Sequence, residues 1–299
     1  MTPRLAAVRA ASRRAAGGTA GSRSARPPLR YRLLWPLAWP LRQYLRHSPL
    51  PIGKGFLIRN GLLPLLPPPP HTFVATLPGG GRLRVQHREL IGYATLLERG
   101  FEVAETRAIC AFARAGSTVV DAGANIGSLT VPLAKAVGPR GRVLAFEPLP
   151  ANAERLRENV ALNGLRNVEV GELALGEQDG TIALRLADDP ALHSTVAVFQ
   201  RRATGEALLV PVTTLDRRWR EAGAPDVSAL KIDVEGAELA VLKGSEQLLR
   251  ACRPTLLVEA AETSQLEAVA RWLAAVGYVW RQPAGFKPWN YLFEWRRAA

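Results

Sequence analysis

The chain has 299 residues, 47% of them hydrophobic and 22% charged, an ordinary balance for a folded protein with room for one α/β domain and an appendage. Its formal charge of +13 is carried by the front: residues 1–88 hold fifteen Arg or Lys and no Asp or Glu, against 24 basic and 26 acidic residues afterwards. The basic balance therefore describes a tail, and net charge gives no ground for reading the body as a nucleic-acid binder.

Residues 1–30 are Arg, Ala, Ser, Gly and Pro with few large apolar groups, too few to offset the entropy of ordering, and are expected to be disordered. Residues 31–66 are richer in Leu and Trp. The apolar run Leu33–Leu41 is short and holds Pro36 and Pro40, whereas a membrane span needs roughly 20 apolar residues. A secretory signal does not fit either, because the apolar stretch begins late and lacks a small-residue cleavage site. Three readings stay open for 31–66: cover for an apolar face of the body, a peripheral element on an anionic membrane surface with Trp35 and Trp39 beside Arg residues, or nucleic-acid binding. The last is weakest, since no recognition element follows. Residues 1–70 are thus an N-terminal extension, and 71–299 the folded domain.

After Pro67–Pro70, "HTFVATLPGGGRLRVQ" alternates apolar residues around glycines and reads as a hairpin. Residues 92–115 suit one or two short helices. "STVVDAG" then reads as a strand, "NIGSLTVPLAKAV" as a helix, "GRVLAFEP" as a strand and "PANAERLRENVALNG" as a helix. "NVEVGELAL" is expected to be a third strand. A polar insertion with β alternation near both ends follows, and then strand "SALKIDVEG", helix "ELAVLKGSEQLLR", strand "PTLLVEA", helix "SQLEAVARWLAAVG" and a closing strand pair "YVWRQ" and "NYLFEWR". Strands alternating with helices imply a mostly parallel sheet covered on both faces, with the ligand crevice beyond the strands' carboxyl ends. Cys110 and Cys252 form no CxxC pair, and His47, His71, His87 and His193 show no ligand spacing. No metal site is expected, and the cysteine usage fits a reducing, cytoplasmic compartment.

Asp121 closes the first of these strands and opens D-A-G-A-N-I-G, with Gly123 and Gly127 where backbone must approach a ligand. Glu147, at the end of the next strand, can accept hydrogen bonds from two ribose hydroxyls. The pair describes a nucleoside pocket. A dinucleotide would want G-x-G-x-x-G and free amides for its pyrophosphate. Here the glycines are spaced G-x-x-x-G and a carboxylate stands at the turn, which repels phosphate and suits the ammonium and sulfonium of S-adenosyl-L-methionine. Glu172 and Ala174 lie where the adenine edge would fall, with a solvated loop as the equal alternative.

A second cluster is "LKIDVEGAE", with Lys231, Asp233, Glu235 and Glu238. Acids at a helix's first turn are favoured by its dipole, which accounts for Glu238 structurally. Asp233, at a strand's carboxyl end, is the better functional candidate, and Glu259 repeats the arrangement one strand on.

"VVDAGANIG", "AFEP" followed by Asn159 and Asn163, "VPVTTLD", "LKIDVEGAE…VLKG" and "LLVE", in this order over about residues 92–280, resemble the FkbM-type methyltransferases. These are S-adenosylmethionine-dependent enzymes that mostly methylate hydroxyl oxygens. The resemblance implies a Rossmann-like class I methyltransferase sheet, with Asp121, Gly123, Asn125, Gly127 and Glu147 around the cofactor, Ala124 inside the same turn, and the strand of Asp233 facing the transfer site. The acceptor would be a hydroxyl of a sugar, glycan or secondary metabolite. Asp233 is the expected base or orienter, followed by His193 in the polar insertion and Glu259. Two rivals are a nicotinamide-dependent oxidoreductase and a non-catalytic nucleoside-fold module held at a membrane surface.

Overall fold

The computed structural model describes residues 28–47, 65, 71–77, 80–86, 91–92, 95, 102–189, 194–198 and 207–296. The first described element is helix α1 (Leu29–His47), which carries Pro36 and Pro40 inside it. Strands β1 (Thr72–Thr76) and β2 (Arg82–Gln86) pair antiparallel as the expected hairpin. Helix α2 (Val103–Phe112) leads into β3 (Thr118–Ala122), α3 (Thr130–Val137), β4 (Arg142–Phe146), α4 (Pro150–Leu162) and β5 (Val168–Gly171). The insertion forms β6 (Ala174–Leu175), β7 (Gly180–Asp189), β8 (Ser194–Val198) and β9 (Ala207–Thr213). The chain then returns through α5 (Leu215–Glu221), β10 (Val227–Ile232), α6 (Glu238–Lys243), α7 (Glu246–Cys252), β11 (Thr255–Glu259), α8 (Thr263–Ala275), β12 (Tyr278–Arg281) and β13 (Asn290–Trp295).

Seven strands make the main sheet in the order β12-β13-β11-β10-β3-β4-β5. All neighbours are parallel except β13, which runs against both β11 and β12. From β3 the chain winds outward to β5, then re-enters on the other side of β3 at β10. The order reverses between β3 and β10, and a ligand crevice opens at such a switch point.

Successive side chains of each inner strand feed opposite faces. Val120, Leu144, Phe146, Leu230, Ile232, Leu256 and Val258 pack with α5–α8. Val119, Val143, Ala145, Ala229 and Leu257 pack with α2, α3 and α4. This strict period of two has a consequence for the site: Asp121, Lys231, Asp233 and Glu259 fall on the parity of the second face.

Three boundaries differ from the sequence expectation. Helix α3 starts at Thr130, not Asn125, because Asn125 and Gly127 have φ of 50° and 93°, which a right-handed helix cannot contain. "NVEVGELAL" is two strands: β5 stays in the main sheet, while Ala174 and Leu175 pair with Val212 and Thr213 in a second, four-stranded sheet, β6-β9-β7-β8. The helix "ELAVLKGSEQLLR" breaks into α6 and α7 at Gly244, where a Cβ would lie 2.0 Å from the Gly176 carbonyl oxygen of that second sheet. Asp216 accepts the N–H groups of Gln247 and Leu248 at 3.0 and 2.9 Å, satisfying the first turn of α7.

The hairpin closes over the glycine turn. Leu83 and Val85 are fully buried against Ile126 and Val131. Asn159 of α4 and Asn163, which caps its C-terminus, fix this contact: Asn159 accepts the Arg84 N–H at 2.7 Å and donates to the Ile126 carbonyl at 2.8 Å, while Asn163 accepts the Arg82 N–H at 2.8 Å. Asn159 is 1% exposed, so its truncation strands two backbone groups away from water. Asn159→Ala should lower stability by about 1–3 kcal/mol in denaturant unfolding, and the bonds made by Asn163 at the exposed rim should be worth less. Equal, small losses for Asn159→Ala and Asn163→Ala would show that the Ile126 bond does not hold the turn.

Candidate active site

The glycine turn is defined by backbone packing. Gly123 has φ of 80°, and its N–H and that of Ala124 both donate to the Phe146 carbonyl at 3.0 and 2.9 Å. A Cβ on Gly123 would sit 1.7 Å from the Asp233 carbonyl oxygen, so the turn after β3 lies directly on the loop after β10. Gly127 gives way to a different neighbour than the sheet: its Cβ would meet Leu156 Cδ1 of α4 at 2.7 Å. Asn125, also at positive φ, donates its N–H to Glu147 Oε2 at 2.9 Å, and the Leu149 N–H donates to Oε1 at 3.0 Å.

Glu147 is buried, and burial, against the opposing effect of these two amides, pushes its carboxyl up to about 7. The carboxyl accepts these two backbone amides and the Asn152 side chain, and keeps further acceptor capacity. That is the donor-seeking geometry a vicinal diol would satisfy.

Asp121 is fully buried and accepts the Thr130 hydroxyl at 2.5 Å through Oδ2. Its Oδ1 lies 3.7 Å from Lys231 Nζ, an ion pair too long for a hydrogen bond. Burial raises its pKa, against the Lys231 charge and the Thr130 hydroxyl. The ammonium it faces inside the protein is therefore that of Lys231. Lys231 Nζ also donates to the Gly123 carbonyl at 2.7 Å and pairs with Asp233 Oδ2 at 3.1 Å. Burial works to neutralise this lysine, but the carboxylates of Asp233, Asp121 and Glu102 outweigh it and hold the ammonium charged.

Asp233 stands at the carboxyl end of β10 with its N–H on the Ala122 carbonyl at 3.1 Å and its side chain 24% exposed. Glu259, on the next strand, is partly buried; burial and then the Asp233 charge raise it far above the usual carboxylate range. Glu102, just before α2, is pushed up to about 7 by burial and then by Asp233. The Asn290 amide donates to Glu102 at 3.4 Å and to Glu105 at 3.3 Å, which joins α2 to β13 at the rim. Glu238 is buried and accepts the Gly236 and Val234 N–H groups at 2.9 and 3.3 Å, so it shapes the loop after β10. Glu235 lies on that loop at φ of 55°, exposed.

The sequence-derived residues thus separate. Asp121, Gly123, Ala124, Asn125, Gly127, Glu147, Asp233 and Glu259 gather at the switch point. Glu172 follows β5 and pairs with Arg157 at 3.0 Å. Ala174 is buried with Leu149, Leu184 and Val210 in the packing of the second sheet. His193 lies outside the described residues. Lys231, Glu102, Glu105 and Asn290 had been given no role. Lys231 carried a signal, a lone charge in a strand with every residue buried. The contact between Asn290 and Glu102 spans 188 positions and carried none.

The donor set also tests the cofactor. Beyond the two acids and the glycine turn, the cation that reaches the turn among the described residues, Lys231, is already committed to Gly123, Asp121 and Asp233. A pyrophosphate would meet carboxylates here, whereas a sulfonium and an ammonium would be welcomed, and the residues fit S-adenosylmethionine.

Glu102 and Glu147 keep a proton up to about pH 7 in the fold, against an ordinary value of 4.5. Each therefore stabilises the fold below about pH 4.5, and that contribution is lost as pH rises through about 7. The ligand-free protein should melt at progressively lower temperature between about pH 5 and 8, and Glu102→Gln should flatten this decline. Parallel melting-temperature curves for parent and variant would mean that Glu102 titrates as an ordinary exposed acid.

The sequence profile of the Methyltransferase FkbM domain matches residues 121–280, more than half of the chain, beginning at Asp121 rather than near residue 92. "Methyltransferase 1" of Beauveria bassiana (strain ARSEF 2860) is 30% identical over 147 residues, 43% of this chain and 58% of that protein. "Methyltransferase sdnD" of Sordaria araneosa is 32% identical over 157 residues, 43% of this chain and 60% of that protein. The chain thus spans about three fifths of the length of these curated relatives. Among solved structures, methyltransferase FkbM from Methylobacillus flagellatus KT is 18% identical, with 69% of this chain and 52% of that one covered and a TM-score of 0.43. The nicotinamide alternative falls with the family match. The chain belongs to the FkbM methyltransferase family, with the α/β class I methyltransferase fold and S-adenosylmethionine as the family's cofactor.

Proposed function

We propose that the protein transfers a methyl group from S-adenosylmethionine to a hydroxyl oxygen of a sugar, glycan or secondary metabolite, with Asp233 as the carboxylate that orients and deprotonates the acceptor. The observation that carries this reading is the seat of Asp233: part-exposed at the switch point, its backbone against Gly123 and its carboxylate 3.1 Å from Lys231. When bound, the cofactor supplies a methyl group already activated by a sulfonium.

What remains for the chain is to hold an oxygen in line and accept its proton. Gly123, Ala124, Asn125, Gly127 and Glu147 would border the cofactor, with the Glu147 oxygens toward the ribose and Glu172 near the base, while Asp121, fully buried, faces Lys231 and Thr130 instead of the cofactor. Asp233 has an ammonium beside it and solvent before it. Glu259 is held in its acid form by burial and by the Asp233 charge, so it is suited to donate a hydrogen bond and poorly suited to take a proton. His193 is the alternative base.

A second, separable proposal concerns α1. Leu29, Leu33, Trp39 and Tyr44 are exposed on it, and no described residue of this helix is buried. With fifteen basic and no acidic residues in 1–88, this supports peripheral contact with an anionic lipid surface over cover for the body. No described helix is long and apolar enough to cross a membrane.

Asp233→Asn should leave affinity for S-adenosylhomocysteine nearly unchanged in calorimetry. Transfer of labelled methyl to an extract of the source cells should fall by about 10²–10⁴-fold. Unchanged transfer would move the role to His193; equal loss of affinity and transfer would mark Asp233 as a cofactor contact instead. A module without catalysis would show binding and no transfer in the parent protein.

For α1, the full chain should sediment with phosphatidylglycerol vesicles, be released by salt, and lose the interaction when residues 1–66 are deleted. Failure of the full chain to bind, or equal binding to neutral vesicles, would discard the anionic-surface reading.

A further inference from the structure

Lys231 is the one member of the cluster that touches both halves of the site. In the parallel register of β3 and β10 it stands opposite Asp121, and the next pair is Ile232 and Ala122. Its side chain is 8% exposed, and it makes three contacts: the Gly123 carbonyl at 2.7 Å, Asp233 Oδ2 at 3.1 Å and Asp121 Oδ1 at 3.7 Å. The first two are within hydrogen-bond reach, and the third is a longer ion pair.

The first partner belongs to the turn that borders the cofactor, and the second is the carboxylate assigned to the acceptor. We propose that Lys231 is a positioning residue for methyl transfer: by bonding the Gly123 carbonyl and Asp233 together, it sets where the acceptor's carboxylate stands relative to the cofactor. The proposal rests on the reading of Asp233 given above.

Geometry separates this role from simple neutralisation of a buried acid. Asp121 needs a cation because it is fully buried. It is restrained without one, through Thr130. The turn, too, has holds besides the lysine, in the Gly123 and Ala124 amides on Phe146. The Asp233 side chain is different. It is part-exposed; Glu259 hydrogen-bonds it from the next strand, and the ion pair with Lys231 is the contact that ties it to the turn at Gly123. Loss of the ammonium should therefore leave the turn in place and free the Asp233 carboxylate from it, to follow Glu259 alone. A misplacement of about 1 Å at a reacting group can cost about 10²-fold in rate.

The test uses the full chain in four forms besides the parent: Lys231→Met, Asp121→Asn with Lys231→Met, Asp233→Asn, and Asp233→Asn with Lys231→Met. Each is measured for melting temperature, for S-adenosylhomocysteine affinity by calorimetry, and for transfer from methyl-labelled S-adenosylmethionine at saturation to an extract of the source cells. Lys231→Met alone strands the Asp121 charge and will melt early. Asp121→Asn in the same chain removes that charge and should restore melting.

The result expected is that this restored double variant keeps cofactor affinity within roughly three-fold while transfer stays down by about 10–100-fold. In the Asp233→Asn background, Lys231→Met should cost little further transfer, because both changes act through one carboxylate. Transfer that recovers together with melting temperature would reduce Lys231 to a counter-charge and overturn the proposal. Additive losses from Lys231→Met and Asp233→Asn would overturn it as well. If Asp233→Asn alone keeps full transfer, the reading of Asp233 fails on its own, separately from any effect at Lys231.

Discussion

Everything at this site depends on two chain segments touching without a side chain between them. The turn after β3 meets the loop after β10 at Gly123, where even a methyl group would overlap the Asp233 carbonyl. Only glycine reconciles the positive φ with that contact. Because the contact is backbone on backbone, it fixes the main chain of Asp233 relative to the turn regardless of which side chains line the crevice, and leaves the placing of its carboxylate to side-chain contacts. The hairpin and α4 then hold the turn from the far side, through Ile126 in the buried cluster and Asn159 on its carbonyl.

The same proximity creates an electrostatic problem. Two inner strands, β3 and β10, and their neighbours β4 and β11 all end in acids: Asp121, Asp233, Glu147 and Glu259. Concentrated at a switch point with little water, they cannot all be anions. The fold answers in two ways. It places one ammonium, Lys231, between Asp121 and Asp233, and burial leaves Glu147 and Glu259 with raised pKa. A crevice organised in this way disfavours an anionic ligand and accommodates a cationic one, which agrees with the cofactor of the family to which the chain belongs.

How far the sequence alone reached follows from the range of the interactions. The alternation of strands and helices, the acid at the end of each inner strand and the glycine turn are local patterns, and they located Asp121, Gly123, Glu147 and Asp233 at one edge of the sheet. The shared face of Asp121, Lys231, Asp233 and Glu259 follows from period-two alternation only once β3, β10 and β11 are placed side by side. Contacts between distant segments were not legible. The break at Gly244 exists because a second sheet brings Gly176 against it, and the split after Gly171 exists because Ala174 finds its partner in Val212. The Glu102–Asn290 rim joins residues with no local pattern in common. The late start of α3 lies between these cases: the glycines were visible, but the left-handed Asn125 that delays the helix was not.

The two carboxylates that share Lys231 are not equivalent, and the difference assigns them different work. Asp121 has no exposure and gives one oxygen to Thr130, so its charge is fixed in place and serves the lysine. Asp233 is 24% exposed and is held toward the protein by the Lys231 ion pair and a hydrogen bond with Glu259, which still leaves acceptor capacity open to a ligand. A salt bridge with one end sealed and the other open keeps its cation anchored while the open carboxylate remains available to a ligand. Had both ends been sealed, the trio would be a structural ion pair, whose desolvation can exceed its Coulombic gain. Had both been open, solvent would screen the lysine and nothing would hold Asp233 against the turn. The asymmetry follows from position along the strands: Asp121 lies within β3 with α3 above it, and Asp233 lies one residue past the end of β10, where cover by the helices stops.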